Sequence, residues 1–276
     1  MGYIVDVSKH QGLINWDVAA KQIDFAILKA SGGLNEDPRY FQNSGECERL
    51  EIPFAVYHYL TANSTEAARK EARLFYDISH VDRPHSFVVD VEDASVPVPT
   101  AKKIVQAFVE ELRKLGARRV ALYTGEWAYG NYNLYASDFD WIWIAKYGKN
   151  SGKPETPPRY SYDLWQYTSR GRIDGITENT VDLSVTGRKG IGYFTNPDSC
   201  DMPKKNLVRY LHRGHMGEDV RMLQKMLNAV NHASLETDGV FGEFTYRAVK
   251  NYQRGHSLAV DGIVGPATWG SLLEQV

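Results

Sequence analysis

The chain has 276 residues, 43% hydrophobic and 12% aromatic, the composition of an ordinary globular protein with room for one or two domains. A formal charge of −2, from 32 Lys+Arg against 34 Asp+Glu, excludes a polybasic binder of nucleic acid or of an anionic membrane surface. Two cysteines, Cys47 and Cys200, offer neither a disulfide framework nor zinc spacing. The eight histidines are scattered, with His212 and His215 the closest pair, so no metal or cofactor is expected; no apolar run is long enough to span a bilayer.

Tyr3–Val7 reads as an apolar strand that carries an acid, Asp6, near its end, and Ser8–Gly12 makes the turn. Asn15 is placed to cap a helix over Trp16–Gln22. Phe25–Ala30 is a second strand, which contains Lys29 and is broken by Ser31-Gly32-Gly33. Pro38–Leu50 reads as a helix and Ile52–Leu60 as a third strand ending in Tyr57-His58-Tyr59. Ser64, three residues before Ala67, is placed to cap a helix running to His80. Phe87–Glu92 is the fourth strand, Thr100–Leu115 a helix closed by Gly116, and Arg119–Thr124 the fifth strand. Beyond it the helical pattern weakens. Trp141–Tyr147, Asp163–Thr168 and Thr180–Val185 read as strands joined by loops alone. Five β/α units and then three strands predict an α/β barrel whose last third lacks its helices. An open doubly wound sheet would want a glycine-rich phosphate loop after its first strand, and Ser8–Gly12 has no such pattern.

Within Phe87–Asp93 a run of β-forming apolar residues abruptly carries acids. Side chains alternate faces along a strand, so Asp90 and Glu92 share one face with Val88. Two carboxylates forced together do not both ionise freely, which suits general acid catalysis, and glycoside hydrolysis is the reaction that most often uses such a pair. The plainer reading is a pair of solvated acids where a strand meets its loop. Asp6, Asp90, Glu92 and Asp182 all fall at strand ends, which converge on one barrel mouth. Tyr57, Tyr59, Tyr123, Trp143, Tyr147, Gln166 and Tyr167 end other strands. Aromatic faces with a few polar groups suit the C–H faces and hydroxyls of sugars, although each aromatic alone could equally be core. Asp93 is left out of the set, as facing away or lying in the loop.

Ile4–Gly12 with Asn15-Trp16 resembles the opening of the family 25 glycoside hydrolases, the Chalaropsis-type lysozymes. Phe25–Gly33, Ala55–Tyr59, Val89–Glu92, and Trp165–Ser169 with Gly171, Gly175-Ile176 and Val181-Asp182 are similar to that family's later motifs. One departure is Ser184, where many members carry Asn, which puts an accessory polar contact in question. The resemblance covers about residues 1–190. It implies an irregular (β/α)5β3 TIM-like barrel that cleaves the β-1,4 bond between N-acetylmuramic acid and N-acetylglucosamine of bacterial peptidoglycan. On this reading Asp6, Asp90, Glu92 and Asp182 are catalytic, and Lys29, Tyr57, Tyr59, Tyr123, Trp143, Tyr147 and Gln166 bind substrate. Glu92 is the general acid, its pKa raised by Asp90 and burial. The rivals are an inactive barrel that only holds cell-wall glycan, and a chitinase-like glycosidase.

Residues 191–206 read as a linker, with Met202 a candidate internal start. After it, Asp238-Gly239-Val240-Phe241-Gly242 with Thr245 recurs as Asp261-Gly262-Ile263-Val264-Gly265 with Thr268. Each Asp-Gly marks a tight turn with positive φ that leads into a helix. Residues 207–276 resemble the small all-α, three-helix bacterial peptidoglycan-binding domain. Phe241, Phe244, Tyr246, Tyr252 and Trp269 are divided there between core and ligand; the alternative is a purely structural repeat. The chain opens without the basic and long apolar regions of a secretory leader. The expectation is therefore a phage endolysin held in the host cytoplasm until release.

Overall fold

The structure, a computed structural model, describes residues 2–196 and 210–275, which fall into two compact units. In the first, β1 (Tyr3–Val7), β2 (Ile23–Gly32), β4 (Phe54–Tyr59), β5 (Phe87–Asp90), β6 (Val120–Gly125), β7 (Ile142–Ala145) and β8 (Leu164–Gly171) pair side by side and parallel in that order. A two-residue β3 (Asn35–Glu36) folds back on the end of β2. β9 (Val181–Thr186) runs antiparallel to both β8 and β1, and this closes an eight-stranded barrel.

The helices along this part of the chain are α1 (Trp16–Ala19), α2 (Tyr40–Arg49), α3 (Thr65–Ser79), α4 (Ala101–Leu115) and the short α5 (Glu126–Asn131). Ser64 caps α3 by accepting the Ala67 N–H at 3.2 Å, and Gly116, at φ 111°, closes α4. Two expectations change. Asn15 stands at the start of α1, but its side chain makes no capping bond, and the α-helix gives way after Ala19 to a 3-10 turn over Ala20–Gln22. Ser31 and Gly32 belong to β2 and do not break it. The short α5 after β6 completes the fifth β/α unit.

Inward-facing Ile4, Phe25, Ile27, Ala55, Val88, Ala121, Trp141, Trp143 and Leu164 fill the barrel. Their rows end below a ring of polar side chains at the strand ends. The opposite end is plugged by α6 (Ile191–Thr195). Phe194, 1% exposed, meets Phe25 at 5.4 Å, Trp141 at 5.3 Å and His85 at 5.7 Å between ring centroids. The barrel unit therefore continues past Gly190, and the first residues of the expected linker belong to its core. The remaining linker residues, with Met202 and Cys200, lie outside the described residues.

The second unit packs α7 (Glu218–Asn231), α8 (Glu243–Gly255) and α9 (Pro266–Leu273) around Leu211, Leu223, Leu227, Phe241, Tyr252, Val264, Trp269 and Leu272. Gly239 and Gly262 take φ of 77° and 79°, as the repeated Asp-Gly predicts. One buried glutamine holds each turn. Gln224 Nε2–H donates to Asp238 Oδ1, the Val240 carbonyl and Thr245 Oγ, and its Oε1 accepts the Gly239 N–H. Gln253 repeats this pattern with Asp261, Ile263, Thr268 and Gly262. Phe241, Tyr252 and Trp269 are core, whereas Phe244 is 78% exposed. Among the described residues no helix is long and apolar enough to cross a membrane.

Candidate active site

β1 brings Asp6 inward directly opposite Asp182 on β9. Because β9 is antiparallel, the mouth lies at its start, which is where Asp182 sits. The rule that strand ends carry the chemistry places Asp182 correctly here only because strand and rule are both reversed. The two carboxyls hydrogen bond each other. Burial, then the charge of Asp182, raises the pKa of Asp6 well above the carboxylate range; burial pushes Asp182 up to about 6. One shared proton bridges the pair.

Gln166 is the hub of the mouth and is itself buried. Its Nε2–H donates to Asp6 Oδ2 at 2.9 Å; its Oε1 accepts from the hydroxyls of Tyr123 at 2.8 Å and Tyr147 at 2.7 Å. Both ends of the amide are therefore engaged, and the tyrosines are fixed with it. Burial raises the pKa of Tyr57, Tyr123 and Tyr147, and the surrounding carboxylates raise them further, so their hydroxyls stay protonated. Trp143 packs against Tyr123 with ring centroids 4.4 Å apart and planes tilted by 59°, and its indole N–H donates to Ser184 Oγ at 3.0 Å. The Ser184 hydroxyl thus supplies an acceptor to the indole.

Asp90 ends β5, with Tyr59 and Tyr123 as its register partners on either side. It is 4% exposed, and its Oδ1 accepts no hydrogen bond among the described residues. Glu92 lies two residues beyond the strand and is exposed at the mouth, so the strand is shorter than expected. The backbone still runs on in the ladder: the Val91 N–H donates to the Tyr123 carbonyl at 2.9 Å. Burial raises both carboxyls. The two carboxyls repel each other, and Asp182 adds to the rise in Glu92. Lys29 opposes both shifts; its ammonium lies 4.8 Å from the Tyr59 ring centroid and 5.7 Å from that of Tyr57. Asp93 lies in the loop, as expected, but its carboxylate accepts the Ser95 N–H at 2.8 Å and bonds the Tyr59 side chain.

The structure therefore gathers Asp6, Asp90, Glu92, Asp182, Lys29, Gln166, Tyr57, Tyr59, Tyr123 and Tyr147 at the mouth, whereas Trp143, 2% exposed, belongs to the core and Tyr167 lies on β8 beside Gln166 with its ring 6.1 Å from Trp165. Sequence reading missed the anchoring of the turn after β1. Gln11 closes a capping box with Ser8, and its amide donates to the Thr180 carbonyl at 3.0 Å, tying that turn to the start of β9. The Ser-x-x-Gln spacing was the available signal.

Known proteins share this fold. The chain is 29% identical over 275 residues, 97% of its own length and 77% of the relative's, to an autolytic lysozyme of Clostridium acetobutylicum. The catalytic domain of the endolysin of Listeria monocytogenes bacteriophage P40 superposes with a TM-score of 0.66 at 27% identity, covering 71% of this chain and 97% of that one. A glycosyl hydrolase 25 of Streptococcus pneumoniae superposes at 0.64 with 28% identity, over 69% and 89% of the two chains. The family model of putative peptidoglycan-binding domains matches residues 216–272. The model of the glycosyl hydrolases family 25 matches residues 5–176, and with four acids converging on one barrel mouth the chain belongs to that family.

Proposed function

We propose that the chain is a bacteriolytic muramidase that cleaves the β-1,4 bond between N-acetylmuramic acid and N-acetylglucosamine, with Glu92 as general acid and Asp90 as its partner. The observation that carries the assignment is Asp90 Oδ1, a buried acceptor without a donor among the described residues, beside an exposed carboxyl whose pKa is raised. A 2-acetamido group supplies the matching N–H. Its carbonyl oxygen then attacks the anomeric carbon while Glu92 protonates the departing glycosidic oxygen, and Asp90, whose Oδ1 accepts the acetamido N–H, offsets the positive charge of the oxazoline. The Asp6–Asp182 pair and Gln166 hold the sugar from the other side through Tyr123 and Tyr147. Water entering on the opposite side, with Glu92 now as base, completes hydrolysis with retention.

Mass spectrometry of fragments from purified peptidoglycan tests the bond: muramic acid must carry the new reducing end. NMR of the first-formed anomer tests the mechanism, because a β product supports substrate assistance and an α product defeats it. The unit of residues 210–275 serves as wall anchor, tethering the barrel to insoluble substrate. The barrel shared with a phage endolysin supports a phage origin and residence in the host cytoplasm before release. Expression inside a host should then lyse it only once the membrane is opened with chloroform.

A further inference from the structure

Ser31, His58, Glu71 and Thr61 form a buried chain of side chains that no step above uses. His58 is fully buried, its ring 5.1 Å from Phe108 and 5.4 Å from Phe75. Its Nε2 meets Glu71 Oε2 at 2.8 Å and its Nδ1 meets Ser31 Oγ at 2.8 Å. Glu71 also accepts the Thr61 N–H at 3.1 Å and the Thr61 hydroxyl at 2.9 Å. With Glu71 already an acceptor for both Thr61 groups, Nε2 carries the hydrogen toward it. Burial lowers the pKa of His58 and keeps it neutral, so Nδ1 accepts and Ser31 donates.

The chain begins at an irregularity in β2. Lys29 opposes Tyr57 and Ser31 opposes His58, so two steps on β2 face one on β4 and Ala30 is the extra residue. Simple alternation would turn Ser31 to the same inward face as Lys29. The bulge turns Ser31 outward to His58 and sets Gly32 opposite Tyr59. A Cβ on Gly32 would stand 3.2 Å from Tyr59 Cβ, which would have to give by a few tenths of an ångström, and 3.6 Å from Lys29 Cε, an ordinary contact.

We infer that His58 is a positioning residue for the hydrolysis: through Ser31 it fixes the bulge that aims Lys29 at the Asp90–Glu92 pair, and through Glu71 and Thr61 it fixes the end of β4 that carries Tyr59. This rests on the assignment of Asp90 and Glu92 as the reacting pair. The groups around Glu92 are Asp182 on β9, Asp6 on β1, Lys29 on β2, Tyr59 on β4, Asp90 and Asp93 on its own segment, Tyr123 on β6 and Tyr147 after β7. Among these described groups Lys29 is the only cation, and it opposes the rise in Glu92.

The test compares Ser31→Ala, Lys29→Met and the double variant in the full chain, by kcat and KM on soluble glycan fragments, pH profile and Tm. Ser31→Ala should lower kcat about tenfold with KM little changed, on the scale of a reacting group displaced by a fraction of an ångström. The basic limb of its profile should move to higher pH, because a weaker pull from Lys29 leaves Glu92 protonated longer. Lys29→Met should move that limb further the same way, and adding Ser31→Ala should then change neither kcat nor the limb. Ser31→Cys, which keeps a donor, should recover part of kcat. A folded Ser31→Ala with unchanged kcat and profile overturns the inference, as does a fold loss from Ser31→Ala that is equal whether Lys29 is present or replaced. If Ser31→Ala lowers Tm sharply, the same comparison is made with Thr61→Val and judged the same way. Failure of the catalytic assignment shows elsewhere, as near-normal turnover by Glu92→Gln.

Discussion

The Asp6–Asp182 pair makes the barrel's stability depend on pH in a direction opposite to that of a salt-bridged carboxylate. Asp182 moves from an ordinary value of 3.8 to about 6 on folding. A carboxyl raised in the folded state stabilises the fold fully below its unfolded pKa, and this contribution is lost as pH rises through the folded value. The window is therefore about pH 4 to 6. The difference corresponds to at most about 3 kcal/mol, less where solvent at the mouth screens the charge. Asp182→Asn keeps an acceptor for the Asp6 hydroxyl and removes the ionisation. The variant should match the parent at pH 4, apart from a constant packing term, and gain up to about 3 kcal/mol on it by pH 8. For a unit of this size that is roughly 6–12 °C in Tm. Trp16, Trp127, Trp141, Trp143 and Trp165 lie in the barrel and only Trp269 in the other unit, so tryptophan fluorescence follows the barrel. Urea unfolding of both proteins at pH 4, 5, 6, 7 and 8 supplies the comparison. Stability curves that stay parallel across that range, or a variant that loses ground as pH rises, refute the shared-proton reading. The gain should come with a loss of turnover, since Asp182 is the charge that next raises Glu92 after burial.

Further outcomes are expected. Glu92→Gln keeps the shape and removes the proton, so turnover on intact walls should fall at least about 100-fold, and Asp90→Asn should be severely impaired, both read as release of reducing sugar. Gln166→Met leaves Asp6 and two tyrosine hydroxyls without their partner; unfolding experiments should show a loss of about 3 kcal/mol or more. Ending the chain after Asn196 should leave cleavage of soluble fragments intact and slow lysis of whole cells, whereas Phe194→Ala should lower barrel stability by about 3–5 kcal/mol, measured in urea. The isolated residues 210–275 should sediment with purified walls without releasing sugar, and Gln253→Leu should unfold that unit first, seen by circular dichroism.

The acids and aromatics of the mouth were legible because each sits where an apolar run stops, and the period-two pattern fixes which of them point inward. Strand direction leaves no such mark. Val181–Thr186 alternates identically whichever way it runs, so Asp182 joined the correct set through reasoning that assumed a parallel strand. Ser31-Gly32 carries the composition of a loop, and only pairing with His58 and Tyr59 reveals a bulge inside a strand. α6 was hidden for a related reason: five residues between Gly190 and Asn196 have little helical preference, and burial of Phe194 holds them. The glutamines of the second unit escaped notice because Gln224 stands fourteen residues before its aspartate and Gln253 eight before its own. The repeat is in the bonds and not in the spacing.

Those two glutamines bear on where the second unit can work. A unit of about 66 residues has a small core, and small domains commonly rely on disulfides or a structural metal. Here each tight turn is cross-linked by the buried amide of one side chain, with four hydrogen bonds apiece, and residues 210–275 contain no cysteine. Thiol reductants have nothing to cut in such a fold, and oxidants have no pair to join. The anchor should therefore reach the same structure in a glutathione-rich interior and in an oxidising exterior, with no need of a thiol–disulfide oxidoreductase on passing from one to the other.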